Sequence, residues 1–230
     1  MLFDDMNWMD IEHYLAVHDT RVVVITGAVE QHAYLSVSAD ILAPLAVAKA
    51  ACQRAQVAIA PPVYYGVSPY FTRFPGTVSL SPETFTAVMR EVLEGLVAQG
   101  FTRVLVSNGH GGNTGILIPL LVELANAHPE ARFGFYEWWR NDRVAAVAGE
   151  AGLPTAHANW SEALPVCRVA PLPEGDKPRP EVPRTASAQA VRDAIGDGSY
   201  GGPYDAPPEV IEKLFEAAVA AMIEALGALE

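Results

Sequence analysis

Cysteine is nearly absent from this sequence. Its two thiols, Cys52 and Cys167, make no disulfide framework. Charge is sparse too, with 18% of the 230 residues Asp, Glu, Lys or Arg. Basic residues are the scarcer kind, 15 against 27 acidic ones, which leaves a net charge of −12. A phosphate backbone is repelled by that balance, so nucleic acid is set aside as a partner. No apolar run approaches the roughly 20 residues a membrane helix needs, and no membrane association is expected. The opening Met1-Leu2-Phe3-Asp4-Asp5 is acidic where a signal peptide would be basic, so a cytoplasmic location is expected. What the chain has in quantity is apolar residues, 50% of the total, too many for general disorder. The length then argues for a single domain over residues 1–230.

Strand and helix patterns alternate from residue 20 to about 150, which predicts α/β architecture around a doubly wound parallel sheet. Arg21-Val22-Val23-Val24-Ile25 is a continuous apolar strand of the kind covered on both faces. Strands are also expected at Val57–Ala60, Arg103–Val106 and Arg132–Tyr136, with an Ala-rich helix from about Ile41 to Gln53. Ser81-Pro82-Glu83 starts another helix with an N-cap, Pro at the first position and an acid in the first turn. Its stripe runs Phe85, Val88, Met89, Val92, Leu93, Leu96, and Gly100 ends it. Asn113 is read as the cap of the next helix, in which Pro119 predicts a bend or a late start. From Pro171 to Pro208 the chain reads as a long structured loop with one helix near Ala188–Ile195. A last helix is expected over Pro208–Leu226.

In open α/β sheets, ligands bind beyond the carboxyl ends of the strands. Those ends offer Glu30, His32, Asp40, His110, His157 and Glu162. Imidazoles with several carboxylates form the ligand set of a divalent-metal hydrolase, and mixed N and O donors suit Zn²⁺ or Mn²⁺. A bridging carboxylate would let two metals share a hydroxide nucleophile. Gly109, Gly111 and Gly112 strip side chains from around His110, so that backbone N–H groups can meet a ligand at a helix start. Each piece alone has an ordinary reading. Glu-x-His after a strand is a weak signal, His-Gly-Gly also makes turns and anion nests, and His157 or Glu162 alone reads as a satisfied polar residue.

Several motifs follow one another in order: Gly27-Ala28-Val29-Glu30-Gln31-His32 through Asp40, then Tyr65-Gly66-Val67-Ser68 and Phe74-Pro75-Gly76-Thr77-Val78-Ser79-Leu80. Ser107-Asn108-Gly109-His110-Gly111-Gly112-Asn113 and Gly198-Ser199-Tyr200-Gly201-Gly202-Pro203 come next. Taken together, they resemble the creatininase (creatinine amidohydrolase) family. The resemblance implies a three-layer α/β/α sandwich with a mainly parallel core sheet. It further implies a binuclear site for Zn²⁺ or Mn²⁺, with Fe²⁺ a third candidate, and a homo-oligomer, hexameric or otherwise even-numbered. Carried over residue by residue, Glu30, Asp40 and His110 would hold one metal. His32, Asp40 and Glu162 would hold the other, with Asp40 bridging. His157 matches the proton-transferring His, and Glu162 is counted with it as catalytic.

This chain departs from the family pattern in several places. The family's His-Gly-Pro-His run reads His32-Ala33-Tyr34-Leu35 here, without its second His. In the His157-Ala158-Asn159-Trp160-Ser161-Glu162 segment, Trp160 replaces an acid, and Leu164 stands in place of a Ser. Gly112 stands where creatininase proper has a Glu, so creatinine is not the favoured small-molecule substrate. The expected reaction is hydrolysis of a C–N amide bond in a cyclic amide or formamide-like group. Gly111, Gly112 and Asn113, with Trp160 and Tyr70, are the expected substrate contacts. Phe71 and Trp138-Trp139 are weighed as further wall residues, the two tryptophans more readily as core or interface. The rivals on the same scaffold are a deformylase, a peptidase and a sugar-ring hydrolase. A phosphorylated substrate would call on Arg73 and Arg140. The rival from another class is a metal-free binding or assembly protein.

Overall fold

The computed structural model describes residues 1–183 and 185–229. Its apolar runs build one parallel sheet from β1 (Arg21–Thr26), β2 (Ala58–Ile59), β3 (Arg103–Asn108) and β4 (Arg132–Glu137), in the order β2-β1-β3-β4. The register pairs Thr26 with Asn108 and Asn108 with Glu137, so β1, β3 and β4 finish level at their carboxyl ends. Everything discussed below gathers at that edge.

Successive strand residues point to opposite faces, and the helices take one face each. Val22, Val24, Val104 and Val106 pack against α3 (Pro82–Ala98) and α4 (Gly111–Ala127), with Tyr14 of α1 (Trp8–Val17) in the same cluster. Val23, Ile25 and Leu105 pack on the other side with α2 (Ala39–Ala55), α5 (Asp142–Ala151) and α7 (Pro208–Gly227). The result is the expected three-layer α/β/α sandwich. Two residues of β5 (Asp176–Lys177) pair antiparallel with β6 (Gly202–Pro203), and α6 (Ala188–Ile195) sits in the late loop as expected. Val191 and Ile195 of α6 close on Phe71, which ties that loop to the one before α3.

Three local expectations are corrected. α1 has no counterpart in the sequence reading, though Asn7 makes a full capping box with Asp10. α4 starts at Gly111 with His110 as its N-cap, so Asn113 lies inside the helix and Pro119 brings no late start. The Asn113 amide is used elsewhere: it accepts from the Val67 N–H (3.0 Å) and donates to the Gly27 carbonyl (2.9 Å). α2 starts at Ala39, before the predicted Ile41, which puts Asp40 in its first turn.

The start of α2 carries the geometry of the site. Pro44 has no N–H to offer the Asp40 carbonyl four residues back, and its ring crowds that carbonyl outward. The freed carbonyl rests against the turns leaving β1 and β3. A Cβ on Gly27 would stand 2.2 Å from the Asp40 oxygen, and one on Gly109 only 1.8 Å from it. Both glycines are there for close approach. A Cβ on Gly111, by contrast, would meet nothing within 4 Å.

Gly109→Ala is therefore expected to cost about 2 kcal/mol or more, an overpacking penalty, and to lower Tm by several degrees. Gly111→Ala should leave Tm unchanged or slightly raised, since it replaces glycine in a helix with open space beside it. Thermal unfolding of both variants by circular dichroism checks the contrast. Equal Tm values would refute the close-approach argument.

Candidate metal centre

Glu30 and His32 follow β1, Asp40 heads α2, and His110 follows β3. All four are buried in the interior. Glu162 reaches them from a short 3-10 turn, Trp160–Glu162, late in the chain. Ligand atoms of Glu30, Asp40 and His110 lie within 4.8 Å of one another, and so do those of His32, Asp40 and Glu162. Asp40 belongs to both groups. A third group, Glu30, His32 and His157, meets the same distance.

The two buried imidazoles are held in matching ways. His32 Nδ1 lies 3.1 Å from the Glu30 carbonyl, while Nε2 faces Asp40 Oδ1 at 3.0 Å and Glu162 Oε2 at 3.8 Å. His110 Nε2 lies 2.9 Å from the Val67 carbonyl, while Nδ1 faces Asp40 Oδ2 at 3.0 Å and Glu30 Oε1 at 3.4 Å. A carbonyl can only accept, so each outer nitrogen carries a hydrogen, and the inner nitrogen, protonated toward the carboxylates while no ion is bound, is the one left to offer a lone pair to an ion. That is how a metal-ligating histidine is oriented from behind.

The donor set fits divalent cations. Four buried side-chain polar atoms make no hydrogen bond among the described residues, and two of them, His32 Nε2 and Asp40 Oδ2, belong to this cluster. Each has a partner at 3.0 Å, yet out of hydrogen-bond alignment. Donors that converge without bonding one another leave room for an ion between them. The carboxylates are fixed from outside: Ser68 Oγ donates to Glu30 Oε2 in a short contact, and the Ala158 N–H donates to Glu162 Oε2 (2.6 Å).

The titration of the cluster follows from burial and charge together. Burial opposes a charge on His32, but Asp40, Glu162 and Glu30 outweigh it and raise its pKa to about 10. Burial also works against charged His110, and Glu30 and Asp40 outweigh it in the same way. Asp40 is held below the usual carboxylate range because His32 and His110 overcome its burial. Glu162 is pushed up to about 7 by burial, and Asp40 and Glu30 add to that rise against the opposing pull of His32. His157 drops to about 4 through burial and the neighbouring His32 charge. Without metal, protons on the two imidazoles balance the acids.

The cluster lies on a cavity of about 730 Å³. Gly111, Gly112 and Tyr70 line it, with Phe71, Trp138 and Trp139. His157 stacks on Phe71 (ring centroids 4.7 Å, 14°) and lies 4.5 Å from the His32 ring. Two expected substrate contacts are corrected. Trp160 is buried in the α2/α7 core with its Nε1–H donated to the Pro154 carbonyl (2.9 Å), so it is not on the cavity lining. Asn113 is equally interior, its amide spent on Val67 and Gly27. Arg140 lines the cavity and Arg73 does not.

Several residues at the site had no role in the sequence reading. Gln31 stands within reach of His157 Nε2 (2.9 Å) and donates to the Gly198 carbonyl (3.0 Å). Its place between Glu30 and His32 was the available signal. Ser68 sat in a recognised motif without an assignment. Arg179 and Tyr200 come from the Pro- and Gly-rich late loop, where no periodicity marks which side chain turns inward.

Comparison with known proteins bears on the family and the fold. The chain is 29% identical over 120 residues to a creatinine amidohydrolase of Pseudomonas putida, covering 50% of this chain and 46% of that protein. It is 34% identical over 108 residues to a mycofactocin precursor peptide peptidase of Mycobacterium tuberculosis, covering 42% of each. The matches thus span less than half the length of either relative. Among solved structures, a creatinine amidohydrolase superposes with a TM-score of 0.84 at 21% identity, covering 99% of this chain and 96% of that one. A creatininase in a Mn form and a variant of Zn–Zn type each give 0.83 at 21% identity, covering 99% and 97%. Residues 4–226 match the family model for creatininase (creatinine amidohydrolase), and the chain belongs to that family.

Proposed function

We propose that this protein is a metal-dependent hydrolase of a C–N amide bond in a cyclic amide or formamide-like group. Two divalent ions would be held, one by Glu30, Asp40 and His110 and one by His32, Asp40 and Glu162. The observation that carries the reading is the pair of donor triplets sharing Asp40 beside a cavity, every member buried except half-buried Glu162. Mixed imidazole and carboxylate donors suit Zn²⁺ or Mn²⁺, with Fe²⁺ the third candidate, and related creatininases in Zn–Zn and Mn forms support that choice. When bound, such ions polarise a carbonyl and lower the pKa of water in the site to about 7.

The chain's own groups do the rest. Gly111 and Gly112 present N–H groups at the start of α4, where an oxyanion gains from donors and from the helix end. His157 is neutral near pH 7, so it takes the proton that attacking water gives up and passes it to the leaving nitrogen. Phe71 and Tyr200 wall its ring from solvent. Tyr70, Trp138 and Trp139 bound the space for the substrate. A peptide amide is the second reading, favoured by the match to a peptide peptidase. A cytoplasmic homo-oligomer completes the proposal; exposed Trp8 and Met9 on α1, and Ile118 and Val122 on one face of α4, support self-association. No helix among the described residues is long and apolar enough to cross a membrane.

A panel of cyclic ureas, lactams, formamides and short peptides, assayed with added Zn²⁺ and Mn²⁺, tests the function. Turnover of none of them, with less than about one equivalent of bound metal, would favour the metal-free binding protein instead.

Asp40→Ala is expected to empty both metal positions, whereas His32→Ala mainly empties one. Metal analysis of purified variants decides this, and a fully loaded Asp40→Ala protein would refute the shared role.

Metal uptake near pH 7 should release between two and three protons, one each from His32 and His110 and a fraction of one from Glu162, and tighten as pH rises toward 10. In the metal-free protein the sign is opposite. The raised imidazole pKa values stabilise the fold below about pH 6.5, and that stabilisation is lost as pH climbs through about 10. Calorimetry in buffers of different ionisation enthalpy measures the proton count, and uptake without proton release would contradict it.

His157→Gln should lower kcat about 10²- to 10⁴-fold with metal content unchanged. Loss of metal in that variant would instead assign His157 to the third donor group.

A further inference from the structure

The cavity has a wall that the proposed chemistry leaves unused. The carboxylates on its lining are Glu30, Asp40 and Glu162, all members of the donor cluster. The remaining permanently charged side chains on the lining are two guanidiniums, Arg140 and Arg179. In a chain with 27 acids against 15 bases, a lining that bears two arginines and no acid outside the donor cluster reverses the composition. Acids close by in sequence, Glu174, Asp176 and Glu181 on the late loop and Asp142 after β4, are absent from the lining.

The two arginines are differently placed, and both are available. Arg140 lies 6.0 Å from the Trp139 ring centroid, and its side chain is 64% exposed. It has one weak partner, Glu137 Oε2 at 3.5 Å; the other oxygen of that carboxylate is taken by Thr114 (2.5 Å) and Asn108 (3.1 Å). Arg179 is exposed and makes no hydrogen bond or ion pair among the described residues. An unpaired guanidinium on a cavity wall is a fork of donors shaped for a carboxylate or a phosphate. The proposed ions would cancel the cluster's own negative charge, so an anion could approach the arginines without repulsion from Glu30, Asp40 and Glu162.

We propose that the substrate is an amide carrying a second, permanently anionic group, a carboxylate or a phosphate. Arg179 and Arg140 receive that group at the solvent end of the cavity while the amide lies over the donor cluster. This rests on the amide-hydrolase reading and narrows its substrate class.

The test is calorimetric binding to the Mn²⁺-loaded protein at low salt. The probes are 2-pyrrolidone-5-carboxylate against its uncharged 5-carboxamide, N-formylglycine against N-formylglycinamide, and O-phospho-N-formylethanolamine against N-formylethanolamine. Each anion is expected to bind about tenfold tighter than its uncharged counterpart, with the advantage shrinking as salt is added. Arg179→Gln and Arg140→Gln should each remove most of that advantage, and Arg179→Lys should restore part of it. The anion with the larger arginine-dependent advantage names the group. Equal affinity within the pairs overturns the inference, as does an advantage that survives both glutamine substitutions and so belongs to the metal. Anion preference without turnover of any probe would sink only the hydrolase reading. Turnover of uncharged amides, untouched by the arginine substitutions, would sink only this one.

Discussion

One residue, Asp40, is gripped from both ends. Its carboxylate stands 3.0 Å from His32 on one side and 3.0 Å from His110 on the other. Its backbone carbonyl, denied the N–H four residues on by Pro44, lies against the glycine turns that end β1 and β3. The side chain therefore cannot move without moving the helix, and the helix cannot move without opening the sheet edge. Two level strands, two glycines and one proline make a rigid seat for a carboxylate that belongs to both donor groups.

Burying three carboxylates and two imidazoles together would be costly without compensation from charge and hydrogen bonds. The compensation has two layers. Within the cluster, opposite charges face one another, by protons in the metal-free protein and by cations when ions are bound. Around it, Ser68, the Val67 carbonyl, the Glu30 carbonyl and the Ala158 N–H each hold one ligand from behind. Backbone strain is accepted for the same end. Ala33 and Ala158, each directly after a site histidine, adopt left-handed conformations that alanine disfavours. The acidity of the chain is thus partly internal: Glu30 and Asp40 are buried ligand candidates rather than surface charge.

The late loop completes the site from a distance. A Cβ on Gly198 would fall 1.8 Å from Gln31 Oε1, so the loop backbone touches the segment that carries Glu30 and His32. That contact seats His157 between Phe71 and His32 and brings Tyr200 beside it. The small α6 cluster with Phe71 holds the loop in place. The proposed proton transfer and substrate selection would therefore fall to a part of the chain with little regular structure of its own. The sheet edge supplies the stiff half of the site.

The layered fold was legible in the sequence because buried parallel strands are nearly all apolar, and their helices show a stripe at helical spacing. Val22 through Ile25 and the Phe85–Leu96 stripe needed no other information. The candidate ligands were legible for a related reason: in an apolar chain, polar groups just past strand ends stand out. What failed was what depends on distant partners. Asn113 looked like a cap, yet its amide serves Gly27 and Val67, and the helix begins two residues earlier, at Gly111. Trp160 looked like a substrate wall, yet its indole fills the core beneath α7. Arg179 carried no local signal at all. Composition, strand pattern and ligand types are local properties that the amino-acid order itself determines. The sharing of Asp40, the tautomer of each histidine and the side chains that face the cavity were decided only by tertiary structure. They depend on contacts between residues far apart in the chain, which local spacing does not encode.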